Sequence, residues 1–178
     1  MIRSEAESGA PLPSAAGYRF ALVVSRFNER ITSALRDGAM AALREAGAAD
    51  ADVEELRVPG AFELPQAARA AAETGRFDAI VCLGCVIRGE TPHFEYISAA
   101  AAHGVMTAAG VTGVPMAFGV LTTDTERQAL ERAVPGEQNK GREAAAAAIE
   151  MAVLFRKLGR PPARGQARPF GFAAGGDA

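Results

Sequence analysis

Apolar residues along this chain alternate between short continuous runs and helix-periodic stripes. The run in YRFALVVS (18–25) is followed by a stripe from Ile31 to Leu43 at helical spacing, which predicts a buried strand and an amphipathic helix that ends at Gly47. Three further runs each precede a helical segment, namely VEELRV (53–58), FDAIVCLGCVI (77–87) and VPMAFGVLTT (114–123).

The helical segments after these runs complete the order βαβαβαβαα. Strands that alternate with helices on short loops predict a parallel sheet with right-handed crossovers and helices on both faces. We expect these helices at 62–74, along a stripe from Phe94 to Ala108, at 124–133 with Asp124 as cap, and at about 139–158.

Ligands of such sheets bind beyond the carboxyl ends of the strands, where loops and helix N-termini converge. The candidate site residues therefore follow each run: Arg26, Phe27 and Asn28; Pro59 to Glu63; Arg88 to His93; and Thr122 to Asp124.

Composition restricts the class of protein. The 178 residues fit one domain, and a net charge of −2 gives no positive field for nucleic acid or an anionic membrane. Residues 1–16 and 159–178 are rich in Gly, Pro, Ser and Ala without periodicity, and we expect both to be flexible tails around a domain at 17–158. We find no apolar span or signal core, and expect a cytoplasmic protein.

The two cysteines form the motif C-L-G-C at Cys82 and Cys85. The spacing allows a redox pair or half of a metal site. A redox pair begins a helix, however, and a zinc site needs more ligands than this chain offers nearby. Because both cysteines lie in a strand run, we interpret them as reduced, packed thiols.

The motif after the third strand predicts an anion site. Thr91 and Pro92 are typical of the N-cap and first position of a helix, which places His93 second. Free backbone amides would then lie beside Gly89 and Glu90, where a phosphate binds well. We expect Glu90 to contribute its backbone alone, since its carboxylate repels an anion.

The side chains near this motif are open to two interpretations each. His93 could transfer a proton near neutral pH, or it could be an exposed first-turn histidine. Phe27 and Phe62 could flank a flat heterocycle, although a phenylalanine such as Phe62 is more often a core residue. Glu63 could accept hydrogen bonds from a polyol, and His103 has no assigned role.

Five segments in order resemble the lumazine synthase family, and the resemblance spans residues 17 to 158. They are SRFNERIT, VPGAFELP, LGCVIRGETPHFEY, TGVPMAFGVLTTDTERQALERA and NKGREAAAAAIEMA. The resemblance implies a three-layer α/β/α sandwich whose four parallel strands take the flavodoxin-like order 2-1-3-4. It also implies that 5-amino-6-(ribitylamino)uracil condenses with 3,4-dihydroxy-2-butanone 4-phosphate to 6,7-dimethyl-8-ribityllumazine, phosphate and water, with no cofactor or metal.

The resemblance also implies residue roles at the strand ends. Phe27 resembles the aromatic residue that stacks on the pyrimidine, with Asn28 beside it, and His93 the proton-transfer residue. Ala61, Phe62 and Glu63 match the segment that receives the ribityl chain. The segment that lines the edge of the pyrimidine matches Cys85, Val86 and Ile87, and the turn that binds phosphate matches Gly89, Glu90 and Thr91.

A second group of residues is implied to complete the site of a neighbouring subunit. These are Phe118, Arg132, whose planar fork suits phosphate, and Lys140. The chain departs from the family at two positions: Cys85 stands where threonine or another small residue is common, and Phe27 where some members have tryptophan.

The family forms pentamers, and many members close twelve pentamers into a shell. The short linker AVPGEQN between Arg132 and Lys140 is typical of shell-forming members, although Pro135 and Glu137 are unusual in it. We therefore expect a homopentamer and a 60-subunit shell, with riboflavin synthase as a candidate partner.

Three rival functions remain to be weighed. A non-catalytic flavodoxin-like module would need an acidic pocket or a flavin loop at the strand ends. A shell or ligand-carrying paralogue would keep the fold without the reactive side chains that this chain has. An aldolase would need a Schiff-base lysine in a strand, whereas Lys140 and Lys157 lie in predicted helices.

Overall fold

A computed structural model of the chain describes residues 11–161. Within this range strands and helices alternate in the predicted order βαβαβαβαα, with 3-10 turns at Asp50–Asp52 and Ala61–Glu63. The elements are β1 (Phe20–Ser25), α1 (Glu29–Glu45), β2 (Val53–Val58), α2 (Leu64–Glu73), β3 (Ala79–Ile87), α3 (His93–Thr112), β4 (Met116–Thr123), α4 (Glu126–Glu131) and α5 (Lys140–Lys157).

The four strands form one parallel sheet in the order β2-β1-β3-β4, which confirms the predicted fold class. The register brings the strand ends to a common edge: Ser25 of β1 pairs with Val58 of β2, and Ile87 of β3 pairs with Thr123 of β4. Because the strands are parallel, all of their carboxyl ends lie on this edge.

Two cores cover the two faces of the sheet. Side chains alternate along a strand, so that Leu22 and Val24 of β1 pack with α1 and α5, while Ala21 and Val23 pack with α2 and α3. Full burial of each valine or leucine stabilises the fold by about 1.5–3 kcal/mol. This two-sided burial explains why the strand runs read as continuously apolar.

Helix α5 begins at a buried asparagine, as predicted. The Asn139 side chain accepts hydrogen bonds from the amides of Gly141 (2.9 Å) and Arg142 (3.1 Å). It also donates to the carbonyls of Ala34 in α1 (3.1 Å) and Ala133 (2.9 Å). All of its strong hydrogen-bonding groups are satisfied, which makes its burial favourable.

Two predicted helix starts are wrong. Helix α4 is capped by Thr125, not by Asp124: Thr125 has extended backbone angles and its hydroxyl accepts from the amide of Gln128 at 3.2 Å. Asp124 instead forms an ion pair with Arg88. In α3, Pro92 occupies the N-cap position, His93 is the first helical residue, and no side chain caps the helix.

The predicted tails lie largely outside the described residues. Residues 1–10 and 162–178 are outside, so their flexibility stays a prediction, as do the domain boundaries. On the described side, Ala15 is buried, and its amide donates to the carbonyl of Ala46 at 2.8 Å. Contacts with the core therefore begin before residue 17.

Candidate active site

The carboxyl edge of the sheet is held together by bonds beyond the strand registers. The amide of Arg26 donates to Val58 (2.8 Å) and that of Phe27 to Pro59 (3.1 Å), which continues the β1–β2 pairing into the loops. On the other side, the amide of Arg88 donates to the carbonyl of Thr123 at 2.8 Å. The four loops that carry the predicted site residues therefore lie side by side.

Asn28 links β1 to β3 at this edge. It has a left-handed backbone conformation (φ 58°), which asparagine tolerates better than most residues. Its side-chain amide donates to the carbonyl of Cys85 at 3.0 Å. Asn28 therefore lies where it was predicted, and its side-chain donor fixes the end of β3.

Strand β3 extends beyond the part of it that pairs with β1. The β1–β3 register ends at Leu83, whereas the β3–β4 register continues to Ile87. On its β1 side, the backbone of residues 85–87 is thus unpaired among the described residues, apart from the bond to Asn28. Val86 and Ile87 are half-buried, and this stretch offers an open backbone edge to a planar ligand.

Two aromatic rings lie exposed beside that open edge. Phe27 is 69% exposed and Phe62 is 59% exposed in the protomer. The alternative interpretation of Phe62 as a core residue is therefore wrong for the protomer. Both rings are therefore available for stacking on a ligand or for contact with another subunit.

Glu63 is already engaged in the turn before α2. One of its carboxylate oxygens accepts the amide of Gly60 at 2.9 Å, which orders this turn. The second oxygen has no donor among residues 11–161. Ala61, by contrast, is buried against α2 and α3, so its side chain packs inside.

The two cysteines point to opposite faces of the sheet. Cys82 packs with α2 and α3, and Cys85 with α1 and α5, as expected for strand residues three apart. Both are free and buried. Burial raises the pKa of Cys82 to about 12, and burial together with the Glu126 carboxylate raises the pKa of Cys85 to about 11. The prediction of packed thiols is confirmed.

The turn between β3 and α3 exposes unpaired amides. Gly89, Glu90 and Thr91 are exposed, and no acceptor among the described residues bonds their N–H groups. His93 follows at the first position of α3, also exposed. Because no side chain caps the helix, the amides of His93 and Phe94 have no capping acceptor, whereas the amide of Glu95 donates to the carbonyl of Pro92 at 3.0 Å. Free amides at the start of a helix attract anions.

Phe118, Arg132 and Lys140 lie apart from this turn in the protomer. Arg132 and Lys140 are close together, because the amide of Lys140 donates to the carbonyl of Arg132 at 2.9 Å. The Arg132 guanidinium donates to Gln128 at 2.9 Å and is exposed, while the Lys140 amine contacts Glu143. Among residues 11–161, no hydrogen bond or ion pair joins these three residues to His93.

The sheet separates Phe118 from the other two. Phe118 pairs with Cys82 and therefore faces the side of α2 and α3. Ala129 and Ala133, which flank Arg132, pack on the side of α1 and α5. Phe118 is also five residues before the end of β4, about 17 Å at 3.3 Å per residue. Phe118 therefore lies on a different face of the sheet from the helix that carries Ala129.

Comparison with known proteins identifies the family. The family model for 6,7-dimethyl-8-ribityllumazine synthase matches residues 17–156. The chain is 55% identical over 144 residues to the 6,7-dimethyl-8-ribityllumazine synthase of Syntrophus aciditrophicus, covering 81% of this chain and 94% of that protein. The chain belongs to the 6,7-dimethyl-8-ribityllumazine synthase family.

Two other relatives of the same name agree. The enzyme of Anaeromyxobacter dehalogenans is 54% identical over 148 residues, which cover 83% of this chain and 91% of that protein. The enzyme of Salinibacter ruber is 54% identical over 142 residues, with 80% and 91% covered. The range matched by the family model, residues 17–156, contains every predicted site residue of this lumazine synthase family member.

Sequence reasoning marked Arg88 as one residue of the loop after β3 and Asn139 as a helix start, but it gave neither residue a role in building the edge. Arg88 bridges the loop after β4 and the first turn of α3, and Asn139 holds α1, α5 and the linker between α4 and α5. The available signals were an arginine directly after a buried strand, and Asn-Lys-Gly directly before an alanine-rich helix.

The described residues contain no group suited to a metal. Between residues 11 and 161, no three His, Cys, Asp or Glu side chains are arranged to hold an ion. In the same range, no helix combines the length and apolar character that a membrane span requires.

Proposed function

We propose that this chain condenses 5-amino-6-(ribitylamino)uracil with 3,4-dihydroxy-2-butanone 4-phosphate to give 6,7-dimethyl-8-ribityllumazine, phosphate and water. The relatives at 54–55% identity support this activity. In the structure, the observation that carries it is the row of unpaired amides at residues 89–91 directly before His93. An anion-binding turn and a titratable side chain are thus adjacent.

The phosphate of the four-carbon substrate is proposed to bind at this turn. The amides of Gly89, Glu90 and Thr91 and the positive end of the α3 dipole would accept it. Arg132 of a neighbouring subunit would add a planar pair of donors. The exposed position of Arg132 in the protomer, on the far side of the sheet from α3, supports an intersubunit role.

The pyrimidine is proposed to lie on the open backbone edge of β3. Its face would stack on Phe27, and the backbone of residues 85–87 would bind its polar edge. Its ribityl chain would extend over residues 61–63, where the second oxygen of Glu63 is available as an acceptor. Phe118 and Lys140 of the neighbouring subunit would close the site. The exposure of Phe27 and Phe62 supports this arrangement.

His93 is proposed to move the protons of the reaction. An amine attacks the ketone, water leaves to form an imine, phosphate is eliminated, and the ring closes with loss of a second water. A positioned acid–base group contributes about 10²–10⁴-fold to such steps. Alignment of two substrates in one site contributes about 7–11 kcal/mol in model systems, so His93 is not the whole source of rate.

A homopentamer that assembles into a 60-subunit shell is proposed as the active form. Helix α3 supports association because Tyr96, Met106 and Val111 are all more than 60% exposed on it, and monomers rarely leave such residues grouped on one helix. The seven-residue linker at 133–139 supports the shell. A cytoplasmic location and a contact with riboflavin synthase are further proposals that rest on the same family membership.

The activity is tested by mixing the purified protein with both substrates and following the absorbance and fluorescence of the lumazine product. We expect product and inorganic phosphate in equal amounts. No product above the spontaneous rate, from protein that light scattering shows to be assembled, would overturn the proposal. The same scattering measurement distinguishes pentamer from shell.

A further inference from the structure

Arg88 connects three elements at the carboxyl edge. It directly follows β3, and its amide donates to Thr123 at the end of β4. Its guanidinium donates to Asp124 in the loop after β4 (2.8 Å) and to Glu95 in the first turn of α3 (2.5 Å). The guanidinium also lies over the Phe94 ring, 4.4 Å from its centre.

These contacts fix the start of α3. No side chain caps that helix, so its first turn is not anchored by its own sequence. Arg88 provides the anchor from outside, through the carboxylate of one α3 residue and the ring of another. The turn at residues 89–91 connects Arg88 to the start of α3. Because Arg88 fixes the start of α3, the conformation of this turn depends on the contacts of Arg88.

The same contacts offset negative charge near the turn. Glu90, Glu95 and Asp124 all lie next to the proposed phosphate position, and a phosphate dianion would be repelled by them. Arg88 pairs with two of the three carboxylates. The hydrogen bonds that the guanidinium donates to Glu95 and then to Asp124 raise its pKa, so it stays charged throughout the working pH range.

We propose that Arg88 is a positioning residue that holds the amides of residues 89–91 and His93 in place and neutralises Glu95 and Asp124, so that a phosphorylated substrate can approach. This inference rests on the proposed function. We assign Arg88 a role through its neighbours rather than as a phosphate ligand, because its guanidinium already joins Glu95 of α3 to Asp124 after β4; a rescue experiment separates the two roles.

Three variants test the role: Arg88→Gln, Arg88→Lys and a control, Arg44→Gln. Arg44 forms a similar two-bond pair with Asp50 (2.7 and 3.0 Å) before β2, at the opposite end of the sheet. We expect Arg88→Gln to raise both KM for the phosphorylated substrate and Kd for inorganic phosphate about tenfold. It should also lower kcat, because His93 at the start of α3 loses its anchor. KM for the aminouracil should stay within about twofold of the wild-type value.

The other two variants separate charge from geometry. Arg88→Lys keeps the positive charge but loses the planar pair of donors and the contact with the Phe94 ring. Compared with Arg88→Gln, it should recover most of the phosphate affinity, while kcat stays low. Arg44→Gln should leave every parameter unchanged. Phosphate affinity is measured by equilibrium dialysis of labelled inorganic phosphate, which needs no turnover.

A rescue experiment distinguishes positioning from direct binding. The triple variant Arg88→Gln/Glu95→Gln/Asp124→Asn removes the two carboxylates that Arg88 neutralises. We expect it to bind inorganic phosphate within about threefold of wild type, with kcat still reduced. If it binds no better than Arg88→Gln alone, Arg88 is itself a phosphate ligand and the inference is wrong.

The proposed function and this inference fail in different ways. If wild type forms no lumazine but the dialysis results follow the expected pattern, the function is overturned and the role of Arg88 stands. If wild type forms lumazine but Arg88→Gln changes neither KM nor phosphate affinity by more than about twofold, the role of Arg88 is overturned and the function stands.

Discussion

The two ends of the parallel sheet each carry an arginine that stacks on an aromatic ring and pairs with an aspartate, but only one end is open. At the amino end, Arg156 lies over Tyr18 (3.5 Å) and donates to Asp78 (3.2 Å), whose side chain is 9% exposed. At the carboxyl end, the aspartate paired with Arg88 is Asp124, which is 66% exposed.

The difference lies in the backbone around each arginine. At the amino end, Asp78 accepts the amide of Arg19 at 2.8 Å, and Arg156 also donates to the carbonyl of Gly17 at 3.2 Å. The side chains there close the ends of the strands. At the carboxyl end, the amides of residues 89–91 remain unpaired. The two ends therefore differ in their unpaired backbone donors and not in the types of the paired side chains.

The largest expected effect on activity comes from substitution of His93 at the open, carboxyl end of the sheet. His93→Ala should lower kcat by about 10²-fold or more without abolishing turnover, because substrate alignment remains. His93→Asn should be equally slow, since an amide cannot transfer the proton at neutral pH. Thermal unfolding should not change, because the side chain is exposed. Full activity in either variant would rule out the proton-transfer role.

Arg132→Ala should have the next largest effect and a different kinetic signature. We expect KM for the phosphorylated substrate to rise about tenfold or more, with a smaller change in kcat, because a charge-assisted phosphate contact is lost. The control is Arg127→Ala in α4, the helix that Arg132 follows directly. The side chain of Arg127 is 80% exposed and pairs with Glu131. Equal effects of the two substitutions would contradict the assignment.

A substitution at the closed, amino end of the sheet should lower the free energy of unfolding and leave the catalytic parameters unchanged. Asp78→Ala removes the acceptor for the Arg19 amide and for the Arg156 guanidinium, at a cost of about 2–3 kcal/mol. The unfolding temperature should fall by about 5–10 °C. Steady-state kinetics of the folded variant at a low temperature should match wild type. A change in either KM would mean that the two ends are coupled.

The buried thiols have the smallest expected effect on activity, and they should instead make the free energy of unfolding depend on pH. The pKa of Cys82 rises from an ordinary 9.0 to about 12 on folding, so the folded state holds its proton where the unfolded state releases it. The stabilisation is complete below about pH 9 and is lost as the pH rises towards 12. Urea unfolding from pH 8 to 11 should show this slope, and Cys82→Ala should reduce it while leaving the part due to Cys85, whose pKa is also raised, to about 11. An unchanged slope would mean that other groups cause it.

Much of the fold follows from local sequence patterns. The strand runs and helical stripes predict the element order, because two-sided burial leaves a continuous apolar signal. The predicted caps failed where a long-range contact competes. Asp124 is drawn into a pair with Arg88, and Thr125 takes its place as the cap. Nothing local indicates a partner 36 residues away.

The site was predicted less completely than the fold. Phe27, Glu63 and His93 are predicted as site residues because each follows the end of a strand, and the ends of parallel strands lie together. The same rule gives no place for Phe118, which lies within β4, or for Arg132, on the far side of the sheet. Their roles came from the family resemblance. Contacts between subunits leave no periodic trace in a single chain.

Complementation between two damaged protomers tests the central claim most directly, namely that His93 and Arg132 meet only across a subunit interface. His93→Ala and Arg132→Ala protein are mixed in equal amounts, unfolded, reassembled together, and assayed at a low concentration of the phosphorylated substrate. In a random assembly, about one quarter of the interfaces combine a subunit with native His93 and a neighbour with native Arg132. We predict recovery of about a quarter of wild-type activity; activity no higher than the mean of the two separate variants would contradict the account.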